Sequence, residues 1–221
     1  MLAMASARGD IVEIDKILAK GANINFQGRE GMTALIWALL HQNKRGYQHL
    51  LERGADPNLA MTKSTITSDG ITDGNAAISL AAMHEDPWYL EITLKHGGNP
   101  NLYNEIKGET PLFQCIAFYD NKHTRLEQLK LLIAAGANLN AFNKNGATPI
   151  RNAILANRFD MIYIMLKAGA DPNIINKAGT SIGSIMKNIR TDPNSELYQW
   201  RIQVEEMLHQ RHIDVEMHNG K

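Results

Sequence analysis

The chain has 221 residues, with 23 Lys+Arg against 23 Asp+Glu, 44% hydrophobic residues, 6% aromatics and a single cysteine. A net charge of zero argues against a phosphate-neutralising surface, so no nucleic-acid partner is expected. One cysteine makes neither an internal disulfide nor a cysteine-based zinc site, and no apolar run approaches the roughly 20 residues of a membrane span, so packing alone must hold the chain together.

The segment Met1-Leu-Ala-Met-Ala-Ser-Ala-Arg8 lacks a basic stretch ahead of an apolar one and reads as an amphipathic helix opening at Leu2. A repeat then dominates. Gly21-Ala-Asn-Ile-Asn25 recurs as Gly54-Ala-Asp-Pro-Asn58, Gly97-Gly-Asn-Pro-Asn101, Gly136-Ala-Asn-Leu-Asn140 and Gly169-Ala-Asp-Pro-Asn173, at spacings of 33, 43, 39 and 33. A second block runs in phase: Gly31-Met-Thr-Ala-Leu35, Gly74-Asn-Ala-Ala-Ile78, Gly108-Glu-Thr-Pro-Leu112, Gly146-Ala-Thr-Pro-Ile150 and a decayed Gly179-Thr-Ser-Ile182.

Each block has a physical reading. Thr33, Thr110 and Thr148 offer a hydroxyl to the first unpaired N–H groups of a helix, and the proline that follows two of them loses nothing where its N–H would be orphaned. Small residues such as Ala38, Ala81, Ala82 and Ala153 let neighbouring helices approach. A second helix carries paired apolar residues at the helical period, as in Leu50-Leu51, Leu129 with Leu132-Ile133, and Met161-Ile162 with Met165-Leu166. The glycine at its end takes the left-handed cap. One helical hairpin cannot bury its own apolar faces, so several must stack into a solenoid.

These motifs resemble the ankyrin repeat, a 33-residue unit with a Thr-Pro-Leu-His helix start and a Gly-Ala-Asp-x-Asn helix end. The resemblance implies an all-α ankyrin solenoid of helix-turn-helix units joined by β-hairpin-like turns. It predicts one domain over residues 1–221, in six units of roughly 1–25, 26–58, 59–101, 102–140, 141–173 and 174–215. The first unit is expected to be incomplete. The last is expected to be an atypical cap with Ser195 at its helix start and Leu197, Trp200, Val204 and Leu208 along one face. The family's histidine is absent throughout, being replaced by Ile36, Ser79, Phe113 and Arg151, so its bridging between repeats is not expected.

Departures from the period show what this chain adds. Ten extra residues lie between Asn58 and Gly74, rich in Thr and Ile around Asp69-Gly70, and read either as a tolerated linker or as a contact finger that includes Ile66 and Asp69. Five extra residues in the fourth unit surround Phe118 and Tyr119, which either anchor an interface or cover a widened helix gap. Trp88, beside Pro87, carries the same two readings. The turn tips and the solvent side of each first helix are, by phase, Arg29, Glu30, Met32, Leu40 and His41, then Met83 and His84, then Lys107 and Glu109, then Lys144 and Asn145. They are expected to line a concave strip of mixed charge that suits a protein partner.

Enzyme signals are weak. Gly179-Thr-Ser181-Ile-Gly183 matches a nucleophile elbow, yet Ser181 stands in phase with Thr110 and Thr148 as a helix cap. His209 and His212 have metal-ligand spacing without a third ligand. Asp69 and Asp73 lack the ligand series of a calcium loop. Cys115 falls where the repeat places a small buried residue. No catalytic residue, metal or cofactor is expected.

The expected function is therefore non-catalytic protein binding by a monomer. Ala34-Leu-Ile-Trp-Ala-Leu-Leu-His-Gln-Asn43 and Tyr198-Gln-Trp200 resemble segments of bacterial ankyrin-repeat proteins found near secreted antibacterial lipase effectors. That resemblance implies an immunity protein that inhibits a toxin by occlusion, periplasmic if an export signal precedes the chain and cytoplasmic otherwise. The alternative is an intracellular scaffold or host-directed ankyrin effector.

Overall fold

In a computed structural model the described residues are 1–28, 31–62, 74–116, 125–175 and 179–215. They form twelve helices: α1 (Leu2–Arg8), α2 (Ile11–Ala19), α3 (Ala34–Leu40), α4 (Lys44–Glu52), α5 (Ala77–Met83), α6 (Trp88–Lys95), α7 (Pro111–Ile116), α8 (Leu126–Ala134), α9 (Pro149–Leu155), α10 (Phe159–Lys167), α11 (Ile182–Met186) and α12 (Glu196–Gln210). Among the described residues no strand forms; one antiparallel bridge joins Asn104 to Glu109. The chain divides into two compact units, Met1–Gln114 and Cys115–Lys221.

The phased threonines start helices as their chemistry predicts. Thr33 Oγ1 accepts the N–H of Ile36 at 3.3 Å, and Thr148 Oγ1 accepts that of Arg151 at 3.4 Å. Ala76 stands at the same place before α5 and has no hydroxyl; there the N–H of Ile78 donates to the Pro57 carbonyl at 3.1 Å. A carbonyl from the preceding turn thus satisfies the helix end that the missing threonine leaves open.

In the first unit α1, α3 and α5 neighbour one another in sequence, and so do α2, α4 and α6. Leu35, Ile36, Ala38, Leu50, Leu51, Ile78, Leu80, Ala81 and Leu90 form the buried interior, where each large aliphatic contributes about 1.5–3 kcal/mol by leaving water. The replaced histidine is filled by packing, since Ile36, Ser79 and Phe113 are all buried. Gly46 on α4 meets the backbone of Ser6 so closely that a Cβ would overlap its carbonyl oxygen.

In the second unit α9 packs on α10 and α11, and α10 packs on α12. Leu129, Leu132, Ile150, Ile154, Phe159, Met161, Ile162, Met165 and Leu166 are buried. The expected face of α12 is only half correct. Val204 and Leu208 are fully buried, Leu197 and Trp200 are half-exposed, and the interior positions between them belong to Arg201 and Glu205. Arg201 Nε donates to Glu205 Oε1 at 2.8 Å; its other nitrogens reach the Met186 and Ile189 carbonyls and Thr191 Oγ1, and its guanidinium lies 5.3 Å from the Phe159 ring centroid. Ser195 precedes α12, but its hydroxyl donates back to the Asp192 carbonyl at 2.7 Å and makes no capping bond.

Candidate functional site

The turns between units share one closure. The N–H of Gly28 donates to Met32 O at 3.1 Å, Met61 to Asn75 at 2.9 Å, Asn104 to Glu109 at 2.9 Å and Asn143 to Ala147 at 2.9 Å. These bonds account for the hairpin-like character read from the sequence. The second turn alone has the long insertion between its closing residues, and its stem is still intact: Gly74 N–H returns to Met61 O at 3.0 Å. Gln27 straps this stem to the preceding turn, with Nε2 donating to Ala60 O at 2.6 Å and Oε1 accepting from Thr62 Oγ1 at 3.3 Å. The insertion therefore leaves from a closed, anchored base. Ile66 and Asp69 lie outside the described residues, as do Arg29, Glu30, Phe118 and Tyr119.

The paired Asn/Asp positions explain the recurrent Gly-Ala-Asp-x-Asn block. Its first Asn or Asp turns back to the amide two residues on, as Asp56 does to Asn58 at 2.8 Å. Its last Asn reaches the next repeat: Asn25 Oδ1 accepts from Asp56 N–H at 2.9 Å, Asn58 Oδ1 from Asn99 N–H at 2.7 Å, and Asn140 Oδ1 from Asp171 N–H at 2.9 Å. Successive turns are held in register by side chains.

The strip residues are distributed unevenly. His41 is exposed and Leu40 half-exposed at the end of α3, while Met83 and His84 are half-exposed at the corresponding end of the neighbouring α5. Lys107 and Glu109 are half-exposed in the third turn; burial raises the Glu109 carboxyl, against the opposing pull of Lys107 and of Gln114, whose Nε2 donates to Glu109 at 2.5 Å. In the second unit Lys144 and Asn145 are exposed at a turn tip, with the Asn145 N–H held by Asn143 Oδ1 at 3.0 Å. Met32 is a correction. It is only 6% exposed, because the Gly28–Met32 closure turns it inward, and it belongs to the core.

Trp88 opens α6 and is engaged from several sides: its ring centroid is 5.1 Å from that of Tyr89, 6.5 Å from that of Tyr47 and 5.1 Å from Lys44 Nζ. Lys44 also pairs with Asp86 at 2.6 Å, which draws the Asp86 carboxyl below its ordinary value. His84 accepts the Asp86 N–H on Nδ1 at 3.0 Å, and burial lowers its pKa. This loop between α5 and α6 is a tied cluster.

Ser181 behaves as its phase predicts: it precedes α11 and accepts the Ser184 N–H at 3.3 Å. His209 and His212 are both exposed, and among the described residues no group of three or more His, Cys, Asp or Glu side chains clusters as a metal site. Cys115 is buried, and burial pushes its thiol up to about 12. No helix among the described residues is long and apolar enough to cross a membrane.

The structure also exposes residues that sequence reading passed over. Phe26, Tyr103, Phe142 and Ile175 stand just after the Gly-Ala-Asp-x-Asn block and are 68%, 40%, 48% and 57% exposed; Ile106, at the third turn tip, is 55% exposed. Their signal was available, since a large apolar side chain recurs one or two positions past each closing Asn. Met4, 65% exposed on α1, is another.

Residues 78–176 match the family model for ankyrin repeats in three copies. An ankyrin repeat domain of Acinetobacter baumannii AYE of known crystal structure aligns over 96% of this chain and 98% of its own, with a TM-score of 0.75 and 27% identity. The chain is an ankyrin-repeat protein. Among bacterial relatives this ankyrin chain is 38% identical over 157 residues to Protein PhlB of Serratia liquefaciens, covering 71% of the chain and 62% of PhlB. It is 27% identical over 181 residues to the ankyrin repeat protein YahD of Escherichia coli, covering 80% of the chain and 83% of YahD. The chain thus spans less than two thirds of PhlB, and 46% of a fowlpox virus ankyrin repeat protein to which it is 27% identical over 172 residues.

Proposed function

We propose that this ankyrin domain is a non-catalytic module whose six units act together to bind one protein partner. The binding surface is the turn tips and the exposed side of the first helices, joined by the insertion that leaves the closed stem at Met61 and Gly74. The observation that carries this reading is the recurrence of large apolar side chains at exposed turn positions, Tyr103 and Ile106 in one unit and Phe142 and Ile175 in the other. Scattered exposed apolar residues are ordinary, but their recurrence at the same repeat position within each unit, beside charged tips such as Lys144, has the composition of a protein interface.

The partner we infer is a secreted toxin, covered so that its active site is occluded. Support comes from the resemblance of the Ala34–Asn43 and Tyr198–Trp200 segments to immunity proteins of antibacterial effectors. The test is affinity capture from the source organism with mass-spectrometric identification, followed by titration of the captured protein against Lys107→Glu, Lys144→Glu and Tyr103→Ala. Weakened binding with unchanged helical content is the expected result. Parent-like binding by all three would overturn the surface.

A further inference from the structure

The first unit contains an open groove of about 470 Å³ between α1 and α3, lined by Ala3, Met4, Ala7, Arg8, Trp37 and His41. Its shape follows from helix periodicity. Ala3 and Ala7, four apart on α1, form a shallow floor, and Met4 and Arg8, also four apart, form one wall. The facing wall is Trp37 with His41 stacked on it, ring centroids 5.2 Å apart and planes inclined by 28°. His41 Nδ1–H donates to the Trp37 carbonyl at 2.9 Å, which holds the imidazole against the indole.

The lining has the build of a binding pocket, apolar surface with a few convergent polar groups at the rim. Met4, 65% exposed, lines the groove opposite the half-exposed Trp37. Arg8 supplies the charge, and among the described residues no carboxylate pairs with it. An apolar trough with an uncompensated guanidinium at its mouth is complementary to an apolar group that carries an anion next to it. A guanidinium engages a carboxylate through two parallel N–H bonds and holds it more strongly as water is excluded.

We propose that this groove receives an apolar side chain of a partner protein flanked by an aspartate or glutamate, the apolar group seated between Met4 and Trp37 and the carboxylate on Arg8. The proposal rests on the reading of the chain as a protein-binding module and names the partner chemistry at one place on it. It does not depend on Lys107, Lys144 or the insertion.

A random peptide library displayed on phage, selected against the full chain, tests it. The expected outcome is enrichment of peptides with an aromatic or aliphatic residue next to Asp or Glu, bound at least about tenfold more weakly by Arg8→Glu and by Met4→Glu. Both substitutions are at exposed sites, and circular dichroism checks that the helices remain. Enrichment without an acidic residue, no enrichment, or selected peptides that bind both variants like the parent would each overturn the proposal. So would two competing occupants: self-association of the parent in sedimentation that Met4→Glu abolishes, or decanoate binding lost in Met4→Glu when no peptide binds. A captured partner that depends on Lys107 and Lys144 but not on Arg8 or Met4 sinks the groove and leaves the wider reading standing.

Discussion

Arg201 and Glu205, one helical turn apart on α12, form a 2.8 Å ion pair with side-chain exposures of 2% and 1%. The guanidinium also takes the carbonyls of Met186 and Ile189, which lie in and just after α11, and so ties the last two helices together. Removing one partner of a buried pair leaves an uncompensated charge, which costs about 3–5 kcal/mol. Arg201→Ala is therefore expected to lower the unfolding free energy extrapolated from a urea titration by that amount. Replacing both residues with apolar ones of similar volume should recover much of the loss, because the desolvation of both charges is then avoided.

The insertion leaves from a stem that is closed without it. Deleting residues 63–73 and joining Thr62 to Gly74 is expected to leave the helical circular dichroism unchanged while weakening capture of the partner. A deletion that also removes Met61, only 2% exposed, should destabilise the first unit as well, by about 2–5 kcal/mol for a buried methionine. Thermal unfolding of the two deletions side by side separates the loop's role from that of its base.

Two glycines make opposite demands. Gly46 is helical and pressed against the Ser6 backbone, so Gly46→Ala forces α1 and α4 apart. Gly54 has open space around it and a φ of +86°, so Gly54→Ala meets only the left-handed penalty, about 1–2 kcal/mol. The expected order in denaturant unfolding is parent, then Gly54→Ala, then Gly46→Ala as the least stable. A reversed order would mean that the first two helical pairs do not pack as described.

Burial holds His84 below the ordinary histidine value, near 6.5. The unfolded chain then binds the proton more readily than the folded one, so this contribution to stability is complete above about 6.5 and is lost as the pH falls below it. The Asp86 carboxyl, held down chiefly by its hydrogen bond to Lys44, adds a loss at more acidic pH, as it falls through the folded value below 3.8. Thermal unfolding from about pH 7.5 to about pH 5.5 should therefore show a smaller decline in His84→Gln than in the parent.

Much of this was legible in the sequence because the repeat supplies phase. Thr33, Thr148 and Ser181 could be placed as caps, and Ser181 removed from suspicion as a nucleophile, since their positions recur at fixed offsets from the glycines. Phase fails where a local bond overrides it. Met32 sits at a turn position that reads as exposed, yet the Gly28–Met32 bond folds it in. Arg201 and Glu205 were illegible for a different reason: apolar periodicity assigns buried positions by excluding charge, and a pair that neutralises itself inside the helix interface defeats that rule. The groove at Met4 and Trp37 needs two helices distant in sequence to be brought side by side, which no spacing on either one reveals.

The buried Cys115 has a practical consequence. It is the chain's sole cysteine, and at neutral pH its thiol stays protonated and shielded, so a maleimide has no native target while α7 is folded. A cysteine introduced at Lys144 or Tyr103 would then take one dye at one known place, and fluorescence from that dye would follow partner docking without altering the rest of the molecule.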